Sequence, residues 1–356
     1  MITLISISLL FLYTLLILIF ERGWRRTPLF SAKEKNVRQQ PFLSVVVCAR
    51  NEEKNLPKLL QAIKNQSYKN FELIIVNDRS TDKTESIVHS FTTENPNFSV
   101  INAKKEGKKS ALKDGIAASS GEIIVQTDAD CIPTEKWLET IAAYLAENES
   151  DLVIGAVKMN PVSAFEEMQA LEFMSLVASG AGAAAMGMPV MCNGANLIYK
   201  RSLWNEAVKA QHEEFASGDD MFLLLAAKKL KKKITFLKSV EATITTKAEP
   251  ALSVFLRQRR RWASKSAGYR DFAVLLTAFS VFGVAVLFLL LLLTGNFNLL
   301  LFVFLWKGLI DFFFLSSAAS FFNLQKCLKW VFPVAAIYPF YIVYAALAGL
   351  YGRKKW

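Results

Sequence analysis

The distribution of apolar positions divides the chain before any motif is considered. Residues 2–20, ITLISISLLFLYTLLILIF, carry no charge, and at about 1.5 Å of rise per residue a helix over them nearly matches a hydrocarbon core of roughly 30 Å. The pattern predicts a spanning helix. A cleaved signal peptide would need positive charge ahead of the run and a small-residue site behind it; nothing basic precedes this run, and Glu21-Arg-Gly-Trp24-Arg-Arg26 follows it. Three further apolar stretches, at about 272–294, 297–321 and 328–350, close the chain, and none comparable lies between residues 21 and 270. The expected organisation is an anchor over 1–21, a soluble domain over 42–249, an interfacial amphipathic segment over 250–270 and about three transmembrane helices over 271–351.

Within the soluble region, strand and helix signals alternate. LSVVVCA (43–49) reads as a buried strand from its β-branched run, and PKLLQAIKNQ (57–66) places apolar residues at 59, 60 and 63 in a helical rhythm. ELIIVN (72–77) repeats the strand signal, and the stretch from Ser80 to Thr84 supplies capping residues for a helix. FSVI (98–101), KSALKDGIAAS (109–119) and EIIVQT (122–127) continue the alternation. Four strands interleaved with helices imply an α/β domain with a parallel sheet covered on both faces. Ligands bind such sheets beyond the carboxyl ends of the strands. Asp78 lies there after the second strand, and Asp128 and Asp130 after the fourth. Positions i and i+2 of an extended chain project from one side, about 7 Å apart, so one carboxylate can hold a divalent cation while its neighbour reaches another part of the same ligand. Magnesium or manganese suits such oxygen donors and completes its shell with water and substrate phosphates.

Charge narrows the partners. Of a formal net charge of +11, six Lys/Arg and two Asp/Glu follow residue 270, leaving 36 against 29 before it. That surplus suits a domain resting on anionic membrane lipids and handling a phosphorylated substrate. Nucleic acid is disfavoured as a partner, since no aromatic-basic ribonucleoprotein motif or paired zinc spacing occurs and membrane helices flank the domain. The four cysteines, at 48, 131, 192 and 327, show no CxxC pairing, which fits a reducing compartment and gives them no redox or metal role. Gly180-Ala-Gly182-Ala-Ala-Ala185 spells a dinucleotide fingerprint, but AFEEMQALEFMSLVAS before it has helical periodicity, so the small residues read as close packing at a helix end or loop. Gly107-Lys108-Lys109-Ser110 lacks the upstream glycine of a Walker loop, because residue 102 is Asn102. His89 and His212 are too few for a zinc site and read as surface or packing residues. Catalysis is left to carboxylates.

Two later stretches add to the acidic set. In SGDDMFLLLAAKK (217–229), Asp219 reads as the cap of an apolar helix and Asp220 as a general base, provided the fold brings it beside the metal site. Gln258-Arg-Arg-Arg261-Trp262 offers forked donors for phosphate and a flat apolar platform for a sugar ring. The same mix suits an interfacial helix with arginines toward lipid head groups.

Taken in order, VVVCARNEEKNL (45–56), VNDRSTDKT (76–84), GKKSALKDG (107–115), TDAD (127–130), CNGANLIYKR (192–201), GDD (218–220) and QRRRW (258–262) resemble the membrane-bound family 2 glycosyltransferases, the group of cellulose, chitin and hyaluronan synthases and of polyprenyl-phosphate sugar transferases. The resemblance covers about residues 42–265. It implies a GT-A fold, Rossmann-like, that binds a nucleotide diphosphate sugar, a UDP-sugar being the expected donor, together with Mg²⁺ or Mn²⁺, and inverts the anomeric centre in one displacement. By motif, Ala49, Arg50, Glu52 and Asp78 would line the nucleotide pocket, with Lys108 near it. Asp128 would contact nucleotide and metal, Asp130 would be the principal metal ligand, and Asp220 would be the catalytic base. Asn193 and Gly194 would belong to the acceptor-side loop, and Asp219 to the substrate-binding set. Gln258, Arg261 and Trp262 would hold the donor diphosphate and the acceptor end. The family often carries Glu or Thr-Glu before the base, where this chain has Gly218-Asp219.

Nucleotide sugars are cytosolic, so the soluble domain is expected on that side of the cell membrane, and Arg22, Arg25 and Arg26 after the first helix agree. Three closing spans would put Arg353-Lys-Lys355 outside, against the same rule. Lys307 and Asp311, one helical turn apart, can neutralise each other in lipid. The expected activity is transfer of a sugar to a lipid-linked or glycan acceptor. A non-catalytic scaffold subunit of an envelope polysaccharide assembly is the alternative. A nucleotidyltransferase would need a glycine-rich loop after the first strand, yet no glycine occurs between Gly23 and Gly107.

Overall fold

A computed structural model describes residues 2–32, 41–210, 219–266 and 268–351. His212, Gly218 and Arg353-Lys-Lys355 lie outside the described residues. In chain order, α1 (Ile2–Arg26) precedes the alternation β1 (Leu43–Ala49), α2 (Leu56–Lys64), β2 (Phe71–Asn77), α3 (Thr84–Thr93), β3 (Phe98–Asn102), α4 (Lys108–Ala118), β4 (Ile123–Asp128) and α5 (Trp137–Glu147). Then come β5 (Leu152–Gly155), β6 (Val157–Met159), α6 (Ala164–Ala185), β7 (Leu197–Lys200), α7 (Arg201–Ala210), α8 (Asp219–Lys229), β8 (Ile234–Leu237) and β9 (Ile244–Thr246). Four helices close the chain: α9 (Leu252–Ser266), α10 (Phe272–Leu293), α11 (Phe297–Phe322) and α12 (Val331–Tyr351). These elements form two compact units, one of Pro28–Met159 with Cys192–Lys247, the other of Met1–Thr27, Asn160–Met191 and Ala248–Trp356.

The first unit is built on a seven-stranded sheet in the order β3-β2-β1-β4-β7-β5-β8. Its centre is parallel, with Cys48 of β1 opposite Val76 of β2 and Asp128 of β4. Val45, Val46, Val47, Ile74, Ile75 and Val76 are fully buried, the continuous apolar composition of strands covered on both faces. The expected parallel sheet is in fact mixed, because β7 runs antiparallel to both β4 and β5. A second small sheet pairs β6 with β9.

Buried Asn196, on a short 3-10 turn ahead of β7, ties these parts together. Its carbonyl accepts from Trp137 Nε1 at 3.1 Å, and its Nδ2 donates to the carbonyls of Ala156 and Ala242, both at 2.9 Å. Gly155 makes room for it, since a Cβ there would sit 2.2 Å from the Asn196 amide carbon.

In the second unit, α1, α10, α11 and the segment Gln325–Gly349 are long and apolar enough to cross a membrane. The small residues of the false dinucleotide fingerprint lie inside α6, where the backbone touches α1: a Cβ on Gly182 would sit 2.0 Å from the Phe20 carbonyl oxygen, and one on Gly23 2.0 Å from that of Gly182. Only glycine permits that approach. Trp24 stacks on Phe322 and donates to the Ser317 carbonyl at 3.1 Å. Lys307 and Asp311 do pair, with Tyr13 of α1 donating to Asp311 Oδ1 at 2.6 Å and the Lys307 ammonium 5.2 and 5.4 Å from the rings of Tyr13 and Tyr338.

Two measurements test these supports. Asn196→Ala should destabilise the first unit by about 3 kcal/mol, because three buried groups lose their partner, seen as an earlier unfolding transition of the detergent-solubilised protein. Asp311→Leu should lower the yield of folded protein by leaving Lys307 unpaired, and Lys307→Met in the same chain should restore it.

Candidate active site

The acidic residues gather at the carboxyl ends of β1, β2 and β4, which the parallel register brings level. Asp78 follows β2 directly. Its amide donates to the Ala49 carbonyl at 2.8 Å, and both carboxylate oxygens accept from the Gly107 amide at 3.0 Å, leaving Asp78 only 1% exposed. Gly107 has φ 116°, which a side chain would strain, and it is the residue before α4. The first residue of that helix, Lys108, pairs through Nζ with Asp128 Oδ1 at the end of β4. Asp78, Gly107, Lys108 and Asp128 thus form one continuous set of contacts.

Asp130 corrects the expectation of an extended i, i+2 pair. The chain turns after Asp128, closed by the Cys131 amide donating to the Asp128 carbonyl at 3.1 Å. Burial pushes the Asp130 carboxyl up, the Asp128 charge adds to the rise, and Lys108 opposes it. Burial also raises Glu52, opposed by the hydrogen bond from Asn55 Nδ2 at 2.8 Å and reinforced by the charges of Asp130, Asp128 and Asp82. Two carboxyl groups, Glu52 and Asp130, therefore have raised proton affinity beside the Asp128–Lys108 pair.

The loops after β1 and β2 brace each other. Asn51, at φ 57°, accepts from the Thr81 amide at 2.8 Å, and the amides of Glu52 and Glu53 donate to Thr84 Oγ1 and Asp82 Oδ2 at 2.7 and 3.1 Å. Arg50 reaches Glu106 at 2.6 Å, and this partner holds the Glu106 carboxyl below its usual range. Arg79 donates to the Lys104 carbonyl at 3.2 Å.

Asp220 sits in the first turn of α8, which Asp219 opens. Its Oδ2 accepts from the Gly194 amide at 3.2 Å and its Oδ1 from the Met221 amide at 2.8 Å, and Cys192 Sγ donates to its carbonyl at 3.2 Å. A Cβ on Gly194 would lie 2.8 Å from Gln126 Nε2 on β4 and 3.5 Å from Asp220 Cβ. Gly194 is therefore the link between Asp220 and the strand that carries Asp128. Asn193 Oδ1 accepts from the Ala195 amide at 3.0 Å and shapes this loop.

Gln258, Arg261 and Trp262 belong to the second unit, on α9. Gln258 Nε2 donates to Glu249 Oε1 at 2.7 Å, Trp262 lies against the Arg259 guanidinium, 4.2 Å from the ring centroid, and Arg261 is exposed. His89 is a surface residue 3.9 Å from Glu85.

Sequence reasoning passed over the partners that hold these groups: the Gly107 amide on Asp78, Glu106 on Arg50, Gln126 beside Gly194, and Glu172 on Arg259. Backbone donors have no signature in residue type, and the acidic partners have no fixed spacing from the basic ones.

Among the described residues, no cluster of three or more His, Cys, Asp or Glu side chains forms a ready-made metal cage. Asp128 and Asp130 nevertheless fit a hard divalent cation, which one or two carboxylates can hold when substrate oxygens complete the shell. Their mutual repulsion is what a cation would relieve.

The sheet is that of the GT-A fold. Residues 44–205 match the family model Glycosyl transferase family 2. The glycosyltransferase AglE of Haloferax volcanii is 35% identical over 121 residues, 33% of this chain and 40% of that protein. The probable glycosyltransferase YdaM of Bacillus subtilis is 27% identical over 281 residues, 73% of this chain and 65% of that protein. In both cases the match covers less than two thirds of the relative's length. The mannosyltransferase PcManGT of Pyrobaculum calidifontis, solved in complex with GDP-Man and Mn²⁺, superposes with a TM-score of 0.57 at 18% identity, covering 99% of each chain, a likeness of fold.

If Asp128 and Asp130 hold a cation, Mn²⁺ at about 100 times its dissociation constant should stabilise the purified protein by about 2.7 kcal/mol. Thermal unfolding with and without Mn²⁺ checks this, and Asp130→Asn should remove most of the upward shift.

Proposed function

We propose that the protein is a membrane-bound, inverting, metal-dependent glycosyltransferase that moves a sugar from a nucleotide diphosphate donor to a lipid-linked or glycan acceptor at the inner leaflet of the cell membrane. The observation that carries the reading is the group Glu52, Lys108, Asp128 and Asp130 at the carboxyl ends of β1 and β4, within the residues that match the family model Glycosyl transferase family 2. Four helices apolar enough to cross a membrane support the location, and the cytosolic supply of nucleotide sugars supports the orientation.

On this reading Ala49, Arg50, Glu52 and Asp78 line the nucleotide pocket. Asp128 and Asp130 hold the divalent cation, which when bound supplies positive charge for the departing diphosphate. Lys108, already on Asp128, adds a second cation beside the phosphates, and Arg261 is assigned to the diphosphate by its motif. Asp220 takes the proton of the acceptor hydroxyl as that oxygen attacks the anomeric carbon and the bond to the diphosphate breaks on the opposite face. Its two amide donors, from Gly194 and Met221, fix the orientation of the carboxylate. Asn193 and Gly194 set the acceptor side, next to that base.

The test is nucleoside diphosphate release by the full-length protein in membranes, supplied with a panel of nucleotide sugars and Mn²⁺. Asp130→Asn and Asp220→Asn should each lower release by at least about a hundredfold while membrane insertion is unchanged. Undiminished release by both variants would sink the assignment. No release from any donor by the unaltered chain would favour the scaffold reading.

A further inference from the structure

Helix α9 has four arginines in five positions, 257, 259, 260 and 261. An α-helix advances about 100° per residue, so a rotation of about 100° would exchange Arg259 with Arg260 as the buried arginine. In the structure only Arg259 is, at 5% exposure, while Arg257, Arg260 and Arg261 face outward. What singles it out is a set of partners that no other arginine on the helix has. Phe255, Arg259 and Trp262 share one face at i, i+4 and i+7, and the Arg259 guanidinium lies 4.4 and 4.2 Å from the two ring centroids. Its Nη2 donates to Glu172 Oε2 on α6 at 2.7 Å, with Nε 3.3 Å from each oxygen of the same carboxylate. Tyr341 of α12 donates to Glu172 Oε1, and Gln258 Oε1 accepts from Arg259 Nη1. One turn earlier on α6, Gln169 holds the approach to α9: its Nε2 donates to the Glu249 carbonyl at 2.9 Å, and its Oε1 accepts from the Glu249 amide at 2.9 Å.

A buried ion pair adds little stability over apolar residues of the same volume, but it discriminates strongly against arrangements that leave either charge alone. A forked guanidinium between two rings is also matched in direction, which a lysine's ammonium is not. The pair therefore selects one rotation of α9. It turns Gln258 and Trp262 inward and leaves Arg261 on the open face.

We propose that Arg259 and Glu172 are positioning residues, a rotational lock on α9 that keeps Arg261 free for the donor diphosphate. The inference rests on the reading of Arg261 given above, and it assigns Gln258 and Trp262 to the lock.

Two readouts on the full-length protein in lipid nanodiscs test it. The first needs no substrate. A reporter cysteine at the exposed position, Arg260→Cys, is labelled with a water-soluble maleimide, with the native cysteines measured as background in the chain without the reporter. Adding Arg259→Gln or Glu172→Gln should change the labelling rate by at least about threefold. Tyr341→Phe, which removes a single hydroxyl, should shift it in the same direction by less and covers the case in which the stronger variants fail to fold. An unchanged rate in all folded variants overturns the lock. The second readout titrates UDP and GDP at saturating Mn²⁺. Arg259→Gln and Arg261→Gln should each weaken diphosphate binding by about tenfold, and the double variant should be no weaker than either, the non-additivity of residues acting as one unit. Arg259→Lys should recover part of the affinity. Additive losses, or full affinity in Arg259→Gln, overturn the assignment even if the labelling rate moves. If the unaltered chain binds neither diphosphate, the donor reading fails, and the labelling result alone decides for or against the lock.

Discussion

The parallel pairing of β1 with β2 on one side and β4 on the other is the constraint from which the candidate site follows. With Ala49 opposite Asn77 and Cys48 opposite both Val76 and Asp128, the three strands end at one level, and whatever follows them emerges along one rim. Asp78 and the Asp128–Asp130 turn are there because the ladder ends there. A one-residue slip of β4 would turn Asp128 to the other face of the sheet, and the fully buried valines and isoleucines of these strands are what forbid it.

On that rim, negative charge exceeds positive. Glu52 and Asp130 both have raised proton affinities, and Lys108 is paired with Asp128 beside them. An excess of carboxylates of this kind favours a bound cation, and the proposed metal site rests on it. The ion pairs of the second unit contrast with it: Arg259 with Glu172 and Lys307 with Asp311 are each matched one to one, with tyrosine hydroxyls on the remaining oxygens.

Much of the scaffold was legible because burial writes itself into composition. The first four strands and the apolar helices at both ends are runs of β-branched or aliphatic residues, and the observed limits of β1 to β4 fall within a residue or two of the expected ones. The short strands β5 to β9 were not legible, since three or four residues carry no readable alternation, and with them went the antiparallel β7 that makes the sheet mixed. For the site, residue type revealed which aspartates to examine but not how they are held. Asp130 stands on a turn rather than on an extended segment, Asp78 is satisfied by a backbone amide, and Arg259 finds Glu172 across 87 residues of sequence. Long-range partners and backbone donors belong to the fold and leave no mark in local pattern.

The glycine contact between α1 and α6 bears on how the protein can be cut. Because Gly23 and Gly182 let two backbones touch, a soluble fragment begun at residue 28 would strip α6 of its neighbour and bare a groove of small residues that no side chain of its own can fill. Trimming the N-terminus to gain solubility would therefore create a sticky surface, and detergent or lipid would be needed to cover what the missing helix had covered.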